Sequence, residues 1–128
     1  MNTSEWSERK MSTDSASLAT AYFDAWESGD AERLRPILTD DVSFRGPLAE
    51  VHGAGDYVDA IRGLFAGTER LVIHRRWADG DDALTWFDMH LPGAAPAPVA
   101  SWIHVRDGRI DRVQVTFDPR EILAAAPN

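Results

Sequence analysis

Asp88 and His90 are the residues whose types and spacing point most directly to chemistry. In an extended chain, side chains two apart project from one face. The run from Ala83 to Leu91 therefore divides into Leu84, Trp86, Asp88 and His90 on one side and Ala83, Thr85, Phe87, Met89 and Leu91 on the other. If the first side lines a cavity, it sets a carboxylate and an imidazole beside an indole, an acid/base pair able to move a proton or activate water. The opposite face, apolar apart from Thr85, would then be free to form a dimer interface. If instead the strand end opens to solvent, Asp88 and His90 form an ordinary surface pair. Tyr22 is the third candidate. It lies on the apolar stripe of a helix, where a buried hydroxyl needs a partner, and its catalytic role would be to donate a hydrogen bond to a substrate oxygen that becomes negative; its plain role is packing. Trp26, Phe44, Trp86 and Phe117 are assigned to the aromatic walls of such a cavity, with Ser101 as a polar contact, although aromatic residues at this spacing also build plain cores.

Other polar residues carry less. Asp88 and His90 with His74 or His104 would supply ligand types for a metal, yet no HxH or HExxH spacing is present, and no metal is expected. His52, beside Gly53, is either at a cavity mouth or on a surface turn. If Ile103 and Val105 face inward, Trp102 and His104 point outward, toward a dimer partner. Arg75 and Arg76 beside Trp77 read as solvated strand positions with cation–π stacking.

The elements that must position these residues follow from periodicity. Leu18, Tyr22, Ala25 and Trp26 mark one amphipathic helix, with Ser15 or Ser17 as its cap and Gly29 as its stop. Asp30 caps a shorter segment through Leu34, Ile37 and Leu38 that Pro36 should kink. Val42–Arg45 is strand-like, and Asp56 precedes a third helical pattern through Val58, Ile61, Leu64 and Phe65, ended by Gly67. The period then changes to strand in four runs, Glu69–Ala78, Ala83–Leu91, Val99–Arg106 and Arg109–Phe117, separated by turn residues that favour antiparallel neighbours. Asp118-Pro119-Arg120-Glu121 opens a short C-terminal helix. The fold class is α+β: a curved, largely antiparallel sheet wrapped around N-terminal helices, a cone enclosing a hydrophobic pocket. Residues 1–14 read as a polar tail and residues 15–128 as a single domain.

Composition sets the outer bounds. The chain has 128 residues, 44% hydrophobic, with 21 acidic against 13 basic side chains and a net charge of −8. No basic patch serves a nucleic acid or an anionic membrane. With no cysteine, thiolate nucleophiles and cysteine-based metal centres are excluded. Gly53-Ala54-Gly55 is not a dinucleotide fingerprint, so no nucleotide cofactor is expected. No signal-like or membrane-spanning apolar run is found, and the chain reads as a cytoplasmic protein.

Four strings carry a family likeness: Tyr22-Phe23-Asp24-Ala25-Trp26-Glu27-Ser28-Gly29-Asp30, Leu38-Thr39-Asp40-Asp41-Val42-Ser43-Phe44, Val51-His52-Gly53 and Val105-Arg106-Asp107-Gly108-Arg109-Ile110. Over about residues 16–123 the chain resembles the SnoaL-like branch of the nuclear-transport-factor-two-like superfamily. The resemblance implies a curved sheet over three helices, a hydrophobic pocket open at one end, and homodimers through the outer sheet face. Relatives include ketosteroid isomerases, limonene epoxide hydrolases, scytalone dehydratases, polyketide cyclases and domains that only bind. Tyr22 is similar in placement to the isomerase tyrosine, but Gly46-Pro47 stands where the isomerase has its aspartate base before a proline, and Ser101 falls near its second aspartate. Asp88 is similar to one epoxide-hydrolase aspartate, while Trp86 and Val115 replace the arginine and the other aspartate. The expectation is a protein for a hydrophobic, oxygenated small molecule: a cofactor-free isomerase, cyclase, dehydratase or epoxide hydrolase using Asp88, His90 and Tyr22, or a non-catalytic binding or dimerising module.

Overall fold

The computed structural model describes residues 14–120 and Leu123. Helix α1 (Ser15–Glu27) is capped by Asp14, whose carboxylate accepts from the Ser17 amide at 2.8 Å. The cap is thus one residue earlier than the serines suggested. Ser15 is buried instead, its hydroxyl 3.0 Å from the Gly80 carbonyl and 3.1 Å from that of Asp82, tying the helix start to a strand turn. Gly29, at φ +72°, turns the chain out of the helix in a conformation that favours glycine. The Pro36 segment is a 3-10 helix (Ala31–Ile37), the form that tolerates a missing amide.

Strand β1 (Leu38–Arg45) begins earlier than its apolar residues suggest and forms a hairpin with β2 (Glu50–His52), a strand too short to have its own periodicity. Helix α2 (Ala54–Gly67) starts two residues before Asp56, directly after Gly53. Strands β3 (Arg70–Asp79), β4 (Asp82–His90), β5 (Ala97–Arg106) and β6 (Arg109–Phe117) form the expected antiparallel meander. The sheet order is β2-β1-β6-β5-β4-β3, with β1 and β6 parallel. The opening of the C-terminal segment is visible where Asp118 accepts from the Arg120 amide at 3.0 Å; most of the helix expected there, like nearly all of the expected tail, lies outside the described residues.

One face of the sheet curls around α1 and α2, and the core lies between them. Ala83, Thr85, Phe87 and Met89 on β4, and Val99, Ser101, Ile103 and Val105 on β5, are all buried there. Phe87 meets Phe23 and Trp26 edge-on, with centroids at 4.9 and 5.5 Å. This reverses the expected assignment of the β4 faces. The face bearing Asp88 and His90 is outward, because the helices cover the side that carries no charge, and covering a carboxylate and an imidazole would cost more desolvation than covering Thr85.

Candidate ligand pocket

The cone holds a cavity of about 240 Å³. Its walls come from Tyr22 and Trp26 of α1, Tyr57, Ala60, Ile61 and Leu64 of α2, Phe44 and the hairpin turn Gly46–Ala49, Met89, Val99, Val115 and Phe117 of the sheet, and Leu91 just after β4. The side chains are apolar except for the indole N–H and two phenols. Trp26 Nε1 donates to Thr68 Oγ1 at 2.8 Å. The hydroxyls of Tyr22 and Tyr57 lie 2.6 Å apart and share one hydrogen bond. Both rings are at most 2% exposed. Burial pushes both phenols above their ordinary range, the mutual hydrogen bond partly offsetting this for Tyr22.

Of the residues expected at a site, Tyr22, Trp26, Phe44 and Phe117 line the cavity. Ser101 is buried beside Val115 in the sheet register but does not line it, and its hydroxyl has no partner among the described residues. Trp86, Asp88 and His90 are on the opposite, convex face, so the expected meeting of Asp88 and His90 with Tyr22 inside the pocket is corrected. Asp88 pairs with His74, Nε2 to Oδ2 3.0 Å, rather than with His90. His74 is the extra residue of a bulge between Ile73 and Arg75, a break in alternation that a reading of regular strands passes over. The other outward pair has the same construction: His104 Nδ1 lies 2.6 Å from the carboxylate of Asp111, the extra residue opposite the step from His104 to Val105.

His52 is on the surface, 3.5 Å from Glu50, and Trp102 points outward as expected, donating to Asp82 at 2.7 Å. Arg75 stacks over Trp77 at 5.4 Å. Arg76 is not a solvated strand residue: it turns inward over Phe23 at 5.1 Å and donates to Thr85 and Thr20. No group of three or more metal-ligating side chains is found among the described residues. Tyr57 was missed. Its signal was present: it stands four residues before Ile61 on the apolar stripe of α2, and the chain has two tyrosines in all.

The sequence pattern of the SnoaL-like domain matches residues 19–113. The chain belongs to the SnoaL-like family. Solved structures of the wider nuclear-transport-factor-two-like superfamily agree with this fold. A protein of Kribbella flavida superposes on this SnoaL-like domain with a TM-score of 0.82 at 22% identity, covering 88% of this chain and 93% of the other. A steroid delta-isomerase of Pseudomonas aeruginosa gives 0.73 at 24% identity over 86% and 83%. An LEH-like epoxide hydrolase of M. tuberculosis gives 0.69 at 21% over 84% and 85%. No curated protein matches the sequence significantly. Among the described residues, no helix of this SnoaL-like domain is long and apolar enough to cross a membrane.

Proposed function

We propose that this SnoaL-like domain binds a compact, uncharged, hydrophobic molecule carrying an oxygen, and that it does so without acid/base chemistry from Asp88 or His90. The observation that carries the reading is the wall itself: almost entirely apolar side chains, with two tyrosines among them whose hydroxyls are paired with each other. A carboxylate or ammonium ligand would lose its hydration and find no opposite charge among these lining residues. Two phenols that share one hydrogen bond use one of their two protons, so the other O–H is available to an acceptor oxygen on the ligand. About 240 Å³ lies between an apolar cavity of ~150 Å³ that holds benzene and the ~300 Å³ at which pockets for drug-sized ligands begin, which suits one or two rings.

A second reading keeps catalysis. Neighbours in the fold include an isomerase and a hydrolase by name, and a phenol donor in a dry site would stabilise an oxygen that gains negative charge. The proton acceptor would then have to come from the substrate or from outside the described lining.

Titration with the bicyclic ketone camphor, followed by methyl NMR, tests the first reading. Shifts at Leu64, Val99 and Val115, unchanged in Asp88→Asn and weakened when Tyr22→Phe and Tyr57→Phe are combined, are expected. Shifts confined to the outer sheet face, or none at all, would reject pocket binding.

We also infer that two copies pair through the convex face. Trp77, Leu84 and Trp86 are 48%, 41% and 41% exposed there. Trp77, Leu84 and Trp102 follow one another across three strands, and so large an apolar strip calls for a cover.

A further inference from the structure

The β1–β2 hairpin turns at Gly46–Ala49, where the Gly46 amide donates to the Ala49 carbonyl at 2.9 Å, and all four turn residues lie on the cavity wall. Gly46 is not among the residues with positive φ, so its backbone does not require glycine. Space does. A β-carbon at this position would stand 3.0 Å from Val115 Cγ2 and 3.3 Å from Phe44 Cζ, closer than ordinary van der Waals contact. At Gly63, Gly67, Gly80 and Gly93 an added β-carbon meets nothing within 4 Å. Phe44 and Val115 both line the cavity, and the Phe44 ring packs on Tyr57 with centroids 5.1 Å apart. A methyl group added at Gly46 is therefore set directly against the cavity wall.

We propose that Gly46 determines the specificity of the pocket by setting its bore: the absent side chain admits a ligand as wide as a bridged bicycle, and any β-carbon here restricts the pocket to slimmer molecules. This rests on the pocket-binding reading and adds to it the shape of the ligand. The effect is steric, so it separates wide from slim ligands that carry the same carbonyl group.

Camphor and the unbranched 2-nonanone supply that comparison, with affinities measured by NMR titration for the intact chain and for Gly46→Ala. Gly46→Ala is expected to weaken camphor about tenfold, the scale of a modest overpacking penalty, and to change 2-nonanone less than about twofold. Gly46→Ala with Val115→Ala removes the 3.0 Å contact and is expected to restore camphor binding. The double variant also serves if Gly46→Ala alone fails to fold: it must then fold and favour camphor over 2-nonanone at least as much as the parent does. Equal weakening of both ketones, no change in either, or a double variant that stays selective against camphor overturns the role of Gly46 while leaving pocket binding intact. Failure of the parent chain to bind either ketone overturns pocket binding and this inference together.

Discussion

Tyr22 and Tyr57 face each other from different helices, and each provides the hydrogen-bond partner that the other's burial demands. Because they are the chain's two tyrosines, any phenolate absorbance reports on this pair alone. Both ionise above the ordinary range near pH 10, so folding favours the protonated form, and the sign follows from linkage. Their contribution to stability is fully present below the unfolded-state pKa and is lost as pH rises toward the folded values. A spectrophotometric titration of the folded protein is expected to show no phenolate between pH 9 and pH 11. Ionisation should then appear together with loss of the near-ultraviolet circular dichroism. A step of one phenolate near pH 10 in a folded chain would contradict the buried pair.

Strand β4 has two apolar faces, and its placement decides what the molecule offers to ligands and to partners. Its inner face joins the core, while Leu84 and Trp86 are half-exposed outside. Trp86→Lys, at a convex-face position outside the pocket, is expected to give a monomer in sedimentation velocity at concentrations where the parent sediments as a dimer, with camphor binding unchanged. A parent that is monomeric throughout would refute pairing. The limits of legibility lie in the same elements. Helical stripes and the four-strand meander were plain because apolar residues recurred at 3.6 and at 2, as at Leu18, Tyr22 and Trp26 or at Val99, Ser101 and Ile103. Which side of β4 faces inward was not plain, because Trp86 and Phe87 are equally hydrophobic neighbours and only the cost of covering Asp88 separates their faces. Half of the site was readable for the same reason. Tyr22, Trp26, Phe44 and Phe117 are where their patterns put them, and Tyr57 too had its helical spacing, whereas Gly46 and the His74 bulge depend on contacts between segments distant in sequence.

The whole molecule is a curved sheet whose hollow is shared by a close-packed aromatic core and a cavity. Phe23, Trp26, Phe65 and Phe87 fill the first part, with Trp26 and Phe65 stacked at 5.3 Å. Phe87 is fully buried and does not line the cavity. Phe87→Ala is expected to cost about 3–5 kcal/mol, read as a lower denaturant midpoint. If the packing is as dense as these contacts indicate, the loss is global rather than confined to β4. A loss below about 1 kcal/mol would mean that the core collapses around the gap, a smaller penalty than cavity formation normally carries.

Strand β6, the last of the described strands, lies between β1 and β5 and is the parallel neighbour of β1. During synthesis, α1, α2 and the β1–β2 hairpin therefore emerge well before the strand that joins them to the rest of the sheet. Until about residue 117 has left the ribosome, the long edge of β1 is unpaired and the stripes of both helices lack part of the surface that covers them. Such non-local closure slows folding and lengthens the time in which sticky surfaces are open to other chains. The order of strands in the finished sheet thus leaves β1 and both helices partly uncovered until all of β6 has been made.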